Sequence, residues 1–242
     1  MRKGIIFTFA LSLAFLVGCK NTNNSGNNSN KESEEENTTY YTVTEEENTT
    51  YYTVTKEEYD QNCFYRSYIP RLTSLNFTVT YSRTLNGNTK NYITKFDNGK
   101  IKSIVSYGDF YCDFKEGTYN ADNKTWSFDG YFEDDGVMTK THFENEEMPD
   151  DIFLPDIGFI VSYDELQYNP DTNFYEQIAE SKTMNYYDVY SEIKVKFING
   201  NVSYISYTYT STSNPEKVYY EVFNVTDYNE TVVDLPSMIG PA

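Results

Sequence analysis

Few side chains in this sequence could carry acid–base, nucleophilic or metal chemistry. The one histidine, His142, stands between Thr141 and Phe143. No Gly-x-Ser-x-Gly elbow, His-Glu-x-x-His or Cys-x-x-Cys motif makes it part of a catalytic or zinc-binding set, and its setting is that of a surface strand. Cys63 and Cys112 fall on the expected inward faces of a helix and a strand. They could close a disulfide, stabilising by about 4 kcal/mol through the loop it would constrain, or lie buried as separate thiols. Glu133, Asp134 and Asp135, and the acidic stretch 144–151, could gather calcium, although solvated loop charge is the commoner origin of such runs. Asn169, Asp171, Asn173, Gln177 and Glu180 have the spacing of an EF-hand loop, but Phe174 stands where that loop needs glycine and no helices flank it. Asn169-Pro170-Asp171-Thr172 reads instead as a turn joining two strands. The residues therefore predict no catalytic group, no metal and no cofactor.

The third cysteine has a different context. Arg2 and Lys3 precede an apolar run over 4–17 that is too short to span a bilayer as a stable helix, the pattern of a signal peptide. The run closes with Leu16-Val17-Gly18-Cys19, which resembles the bacterial lipobox. That resemblance implies a diacylglyceryl group on the Cys19 thiol, cleavage of 1–18, and Cys19 as the first residue of the mature chain. Burial stabilises acyl chains by about 0.8 kcal/mol per methylene, so one chain is marginal and two hold effectively permanently. The expected location is the extracytoplasmic face of the cell membrane, with the membrane itself a partner through the anchor.

Residues 19–54 are rich in Asn, Ser, Thr and Glu and lack apolar periodicity, as a disordered acidic tether would. If flexible, such a segment reaches roughly 30 Å. Within it, residues 34–44 recur unchanged as 45–55. The second copy ends in a helix start: Thr55 and Glu58 fit a capping box, with Val54 and Tyr59 at the staple positions. The first copy has the same box at Thr44 and Glu47, but Asn48 replaces the apolar staple partner.

The elements that would hold any site lie in 55–242, one domain's worth of chain. With 37 acidic against 19 basic residues in 242 and a net charge of -18, nucleic-acid binding through a basic face is excluded. Its 25 Tyr and 16 Phe supply a core. A helix after Thr55 should end before Pro70. Period-two runs follow at Leu75, Phe77, Val79 and Tyr81, at 89–96 and 100–107, at Phe110, Cys112 and Phe114, at Trp126, Phe128 and Phe132, and at Ile193, Val195 and Phe197. Asn86-Gly87, Asn98-Gly99 and Asn199-Gly200 mark tight hairpins. The chain should close with strands at 202–210, 217–224 and 230–235, while 144–155 forms a long loop or short helix over one edge. The predicted class is α+β, mostly β: a curved, meandering antiparallel sheet, half-barrel-like, with an N-terminal helix packed on one face. In the last strands aromatic residues fall on both faces, Tyr219 opposite Tyr220, and Tyr204 opposite Tyr207 and Tyr209. These five tyrosines mark a candidate ligand face, unless they only stack across strands.

The lipobox, the Asn-rich tether, the helix start at Val54-Thr55-Lys56-Glu57-Glu58-Tyr59, the Phe96-Asp97-Asn98-Gly99-Lys100-Ile101 hairpin and the closing 228–236 resemble a group of uncharacterised lipoproteins of low-GC Gram-positive bacteria and mollicutes. Their sheet is similar to the half-barrel of LolA- and LppX-like carriers. The resemblance implies a non-catalytic surface module with a lipid or other apolar small molecule on its concave face. The alternative is a surface protein that binds a protein or a glycan through its tyrosine-rich sheet face.

Overall fold

The computed structural model describes residues 53–134, 137–178, 182–185 and 188–237, which belong to one compact unit. Cys19, the lipobox residues Leu16, Val17 and Gly18, and the first repeat copy lie outside the described residues.

The chain's described part starts at the helix cap. Thr55 accepts from the Glu58 amide at 3.2 Å, and the Glu58 carboxylate accepts from the Thr55 amide at 2.7 Å, so the capping box forms as expected. Val54 and Tyr59 are both buried. Helix α1 (Lys56–Cys63) does not run on to Pro70. Phe64 is extended, and a short α2 (Tyr65–Tyr68) and a 3₁₀ turn (Ile69–Ser74) that contains Pro70 follow it. The break frees the Cys63 carbonyl, which accepts from the amides of Ile157 and Gly158 at 2.9 and 2.7 Å. Gly158 is required here, since a Cβ on it would sit 2.4 Å from the Phe64 ring.

The rest is mostly β. The strands are β1 (Asn76–Leu85), β2 (Asn88–Asp97), β3 (Lys100–Val105), β4 (Gly108–Asn120), β5 (Thr125–Asp134), β6 (Val137–Glu146), β7 (Leu166–Asn169), β8 (Phe174–Gln177), β9 (Lys182–Asn185), β10 (Asp188–Ile198), β11 (Asn201–Ser211) and β12 (Asn214–Thr226). They form a single open antiparallel sheet in the order β6-β5-β4-β3-β2-β1-β12-β11-β10-β8-β7, with β9 also paired to β10. Two meanders, β1 to β6 and β7 to β12, are therefore joined by the pairing of β1 with β12. All three Asn-Gly pairs adopt the positive φ of tight hairpin turns, for instance 51° at Asn86 and 78° at Gly87. The turn after Asn169 also forms, joining β7 to β8, with the Asn169 side chain accepting from the Asp171 amide at 3.0 Å.

One face of the sheet is covered. Phe77, Val79 and Tyr81 of β1 point to it with Phe96, Ile101, Cys112, Phe128, Val195, Ile205 and Phe223, and all are buried. At one end the helical segment packs on this face: Tyr68 meets Phe77 with ring centres 6.1 Å apart, and Trp126 donates to the Ile69 carbonyl at 3.0 Å.

Two expectations need correction. The 144–155 stretch does not lie over an edge: 144–146 end β6, and the rest belongs to residues 147–162. They form a strap that crosses the covered face from β6 at one edge to β7 at the other, burying Met148, Ile152, Leu154, Ile157, Ile160 and Val161. Ser103 donates to the Asp151 carbonyl, Thr94 accepts from the Phe153 amide at 3.1 Å, and Tyr59 donates to the Val161 carbonyl at 2.9 Å. Residues 230–235 are not a strand, because both edges of β1 are already taken by β2 and β12. The segment instead crosses the end of the sheet, where the Thr231 and Val233 amides donate to the side chains of Asn76 and Asp97 at 2.9 and 3.1 Å.

Candidate binding groove

The five candidate tyrosines divide between the two faces. Tyr207, Tyr209 and Tyr219 lie on the covered face, beyond the strap. Tyr209 stacks on Tyr219 with ring centres 4.7 Å apart, and Tyr190 stacks on Tyr209 at 5.5 Å. Within this cluster Arg83 donates to Glu221 at 2.6 Å and Tyr207 donates to the same carboxylate at 2.7 Å. The Glu221 side chain is 4% exposed, so its charge is neutralised by a partner and hydrogen-bonded. Burial, then Glu221, pushes the Tyr207 phenol well above its ordinary value, and burial pushes Tyr209 up to about 12. The Arg83 guanidinium lies 5.7 Å from the centre of the Tyr219 ring, so this aromatic cluster already holds a cation of its own.

Tyr204 and Tyr220 stand on the opposite, open face, their hydroxyls 3.2 Å apart. They line a groove of about 900 Å³ with Phe174, Glu176, Lys194 and Ser206. The strand register explains the groove. Glu176, Lys194, Ser206 and Val222 form one cross-strand row, and Ser206, small and 3% exposed, gives that row a low floor. Tyr204 rises on one side of the row and Tyr220 on the other. Phe174 meets Tyr204 edge-on with ring centres 5.5 Å apart, so three rings from β8, β11 and β12 frame the floor. A β-bulge between Ser191 and Lys194 turns the Glu192 side chain onto this face, where it accepts from Thr208 at 2.7 Å.

Polar groups at the rim are mutually anchored. Glu176 lies 3.8 Å from the Lys194 ammonium and accepts from the Asn169 side chain at 3.2 Å. The hydrogen bond to Tyr204 holds the Tyr220 phenol above its ordinary value. Sequence reasoning named Tyr204 and Tyr220 but missed Phe174, Glu176, Glu192, Lys194 and Ser206. The alternation of Glu192, Lys194 and Lys196 with Ile193, Val195 and Phe197 was the available signal for the rim.

The other residues singled out in the sequence lie elsewhere. Cys63 and Cys112 are both buried, and each is a free thiol. Cys63 ends α1, which packs on β11, whereas Cys112 is on β4, several strands away in the sheet. Burial raises both thiols above their ordinary value, Cys112 to about 12. His142 is on β6 with its Nδ1 2.8 Å from Asp129, which also meets Lys140 at 2.9 Å and Lys115 at 3.4 Å. The hydrogen bond from Lys140 leads those that hold the Asp129 carboxyl down at about 2. Among the described residues no group of three or more His, Cys, Asp or Glu side chains could hold a metal ion, and no helix is long and apolar enough to cross a membrane.

The chain matches no protein-family model and no curated protein.

Proposed function

We propose that the chain is a membrane-tethered binding module of the extracytoplasmic face, held by acylated Cys19 and taking up its ligand in the groove of the open sheet face. The observation that carries this reading is the contrast between the two faces. An open sheet with helices on one side is what the half-barrel resemblance leads one to expect, and a carrier would keep the space between sheet and helix for its apolar cargo. Here that space holds Phe153, stacked on Tyr81 with ring centres 4.7 Å apart, together with the buried residues of the strap. The open face instead carries a concave site of ligand size, framed by aromatic rings and polar groups. The module has a binding role without chemistry of its own, and its strong negative charge disfavours nucleic acid as a partner.

Hydroxyl-radical footprinting tests the placement without knowing the ligand. The full chain is labelled in the membranes of its own cells and again after purification. Tyr204 and Tyr220 are expected to react several-fold more slowly in cells, while Tyr107, 73% exposed and remote from the groove, reacts equally in both. Equal labelling of all three in both preparations refutes the placement. For the anchor, labelled palmitate should enter the wild-type chain and not Cys19→Ala.

A further inference from the structure

We infer that the ligand of the open-face groove is a neutral saccharide, an inference that rests on the proposed placing of the ligand there. The lining itself discriminates among ligand classes. A lipid tail requires a dry enclosure, but this groove opens to solvent and has charged and hydroxyl groups among its rings. A phosphate or other anion would face Glu176 and Glu192, and the Lys194 ammonium is already shared with Glu176 at 3.8 Å. A free cation would meet that same ammonium, while the Lys196 ammonium sits 5.8 Å from the centre of the Phe174 ring.

A neutral polyhydroxylated ligand meets none of these repulsions. Its C–H surfaces can lie against the Phe174, Tyr204 and Tyr220 rings, whose faces carry partial negative charge. Its hydroxyls can donate to Glu176 and Glu192, bonds strengthened by the acceptors' charge. The spacing also fits an extended ligand. Phe174 on β8 and Tyr220 on β12 are three strand steps apart through β10 and β11. At about 4.8 Å per step, the strands that carry the rings span about 14 Å, the length of a short oligosaccharide.

The test is isothermal titration of the full chain with cellohexaose, mannohexaose and chitohexaose, alongside phosphatidylglycerol vesicles and inorganic polyphosphate. At least one neutral oligosaccharide is expected to bind, with Tyr204→Ala weakening it at least tenfold. Phe174→Leu, which keeps apolar volume but loses the flat ring, should also weaken it at least tenfold. Tyr111→Ala, on the same face in the other meander, should leave it unchanged, and Trp126 emission reports whether each variant is folded. Binding that survives both groove substitutions, or binding only to the anionic probes, overturns the assignment, as does no binding of any neutral oligosaccharide. If Tyr204 and Tyr220 are nonetheless protected in the cell footprint, the groove binds another class and only the saccharide assignment falls. If that protection is also absent, the placing of the ligand falls with it.

Discussion

Asp156 is the residue at which the strap's attachment is most sensitive to pH. It is a strap residue beside the helical segment, near the backbone amides of Tyr65 and Gly158, and its Oδ1 is buried without a hydrogen-bond partner. The titratable groups it bears on are Cys63 and Tyr59 of α1 and Tyr65 and Tyr68 of α2. None of these is a cation. Burial therefore dominates and raises the carboxyl from 3.8 to about 6, against the opposing pull of those two amides. The folded state binds this proton more tightly than the unfolded state. The stability it confers is complete below about pH 4 and is lost as the pH rises to about 6. At 1.36 kcal/mol per pH unit the gap corresponds to about 3 kcal/mol. Asp156→Asn removes the ionisation and keeps the side chain's size and an oxygen near the two amides. Urea unfolding of the purified full chain, followed by Trp126 emission from pH 3.5 to 7.5, should show the variant gaining about 2 to 3 kcal/mol relative to wild type between pH 4 and 7. Other carboxylates cancel in that difference, including Asp129, whose lowered value acts with the opposite sign below about pH 4. Parallel curves over the whole range would refute the reasoning.

Four further outcomes follow from the packing. Arg83→Met strands the Glu221 charge and should cost about 3 kcal/mol in chemical denaturation, with much of the loss recovered by adding Glu221→Gln. Phe153→Ala should cost about 3 kcal/mol and speed amide exchange at Ile157 and Gly158, where the strap holds the helix. Gly130→Ala would place a Cβ 2.7 Å from the Phe143 ring and 2.8 Å from the Phe132 ring, and should cost about 1 to 3 kcal/mol. Because Cys63 and Cys112 are separate buried thiols, a reducing agent should leave the melting temperature unchanged, and a thiol reagent should modify them only after unfolding.

What could be read from the sequence was local. The capping box at Thr55 and Glu58 and the three Asn-Gly hairpins depend on residues within a few positions of one another, and each forms. The alternation at Leu75 to Tyr81 identifies β1, because one side of it is buried all along. The strap was not legible. Its apolar residues, Met148, Ile152, Leu154, Ile157, Ile160 and Val161, follow neither a helical nor a strand period, and its backbone is satisfied by scattered partners such as Thr94 and Cys63. The closing segment was misread for the related reason that the alternation over Thr231, Val233 and Leu235 implies a ladder, whereas side chains of Asn76 and Asp97 supply the acceptors. The groove is assembled from β8, β10, β11 and β12, so Phe174 meets Tyr204 only through the register of strands the sequence does not order.

The pairing of β1 with β12 also sets the order in which the fold can be completed. As the chain is delivered N-terminal end first, β2 arrives directly after β1 and can zip to it at once, but the other flank of β1 waits for β12, the last of the described strands. Until then a nascent chain presents a bare row of amides and carbonyls on β1, and an Arg83 whose carboxylate has not yet been synthesised. The final strand is thus a keystone. A chain cut short before it would keep one finished meander with a sticky flank, and the groove between β8 and β12 would lack a wall.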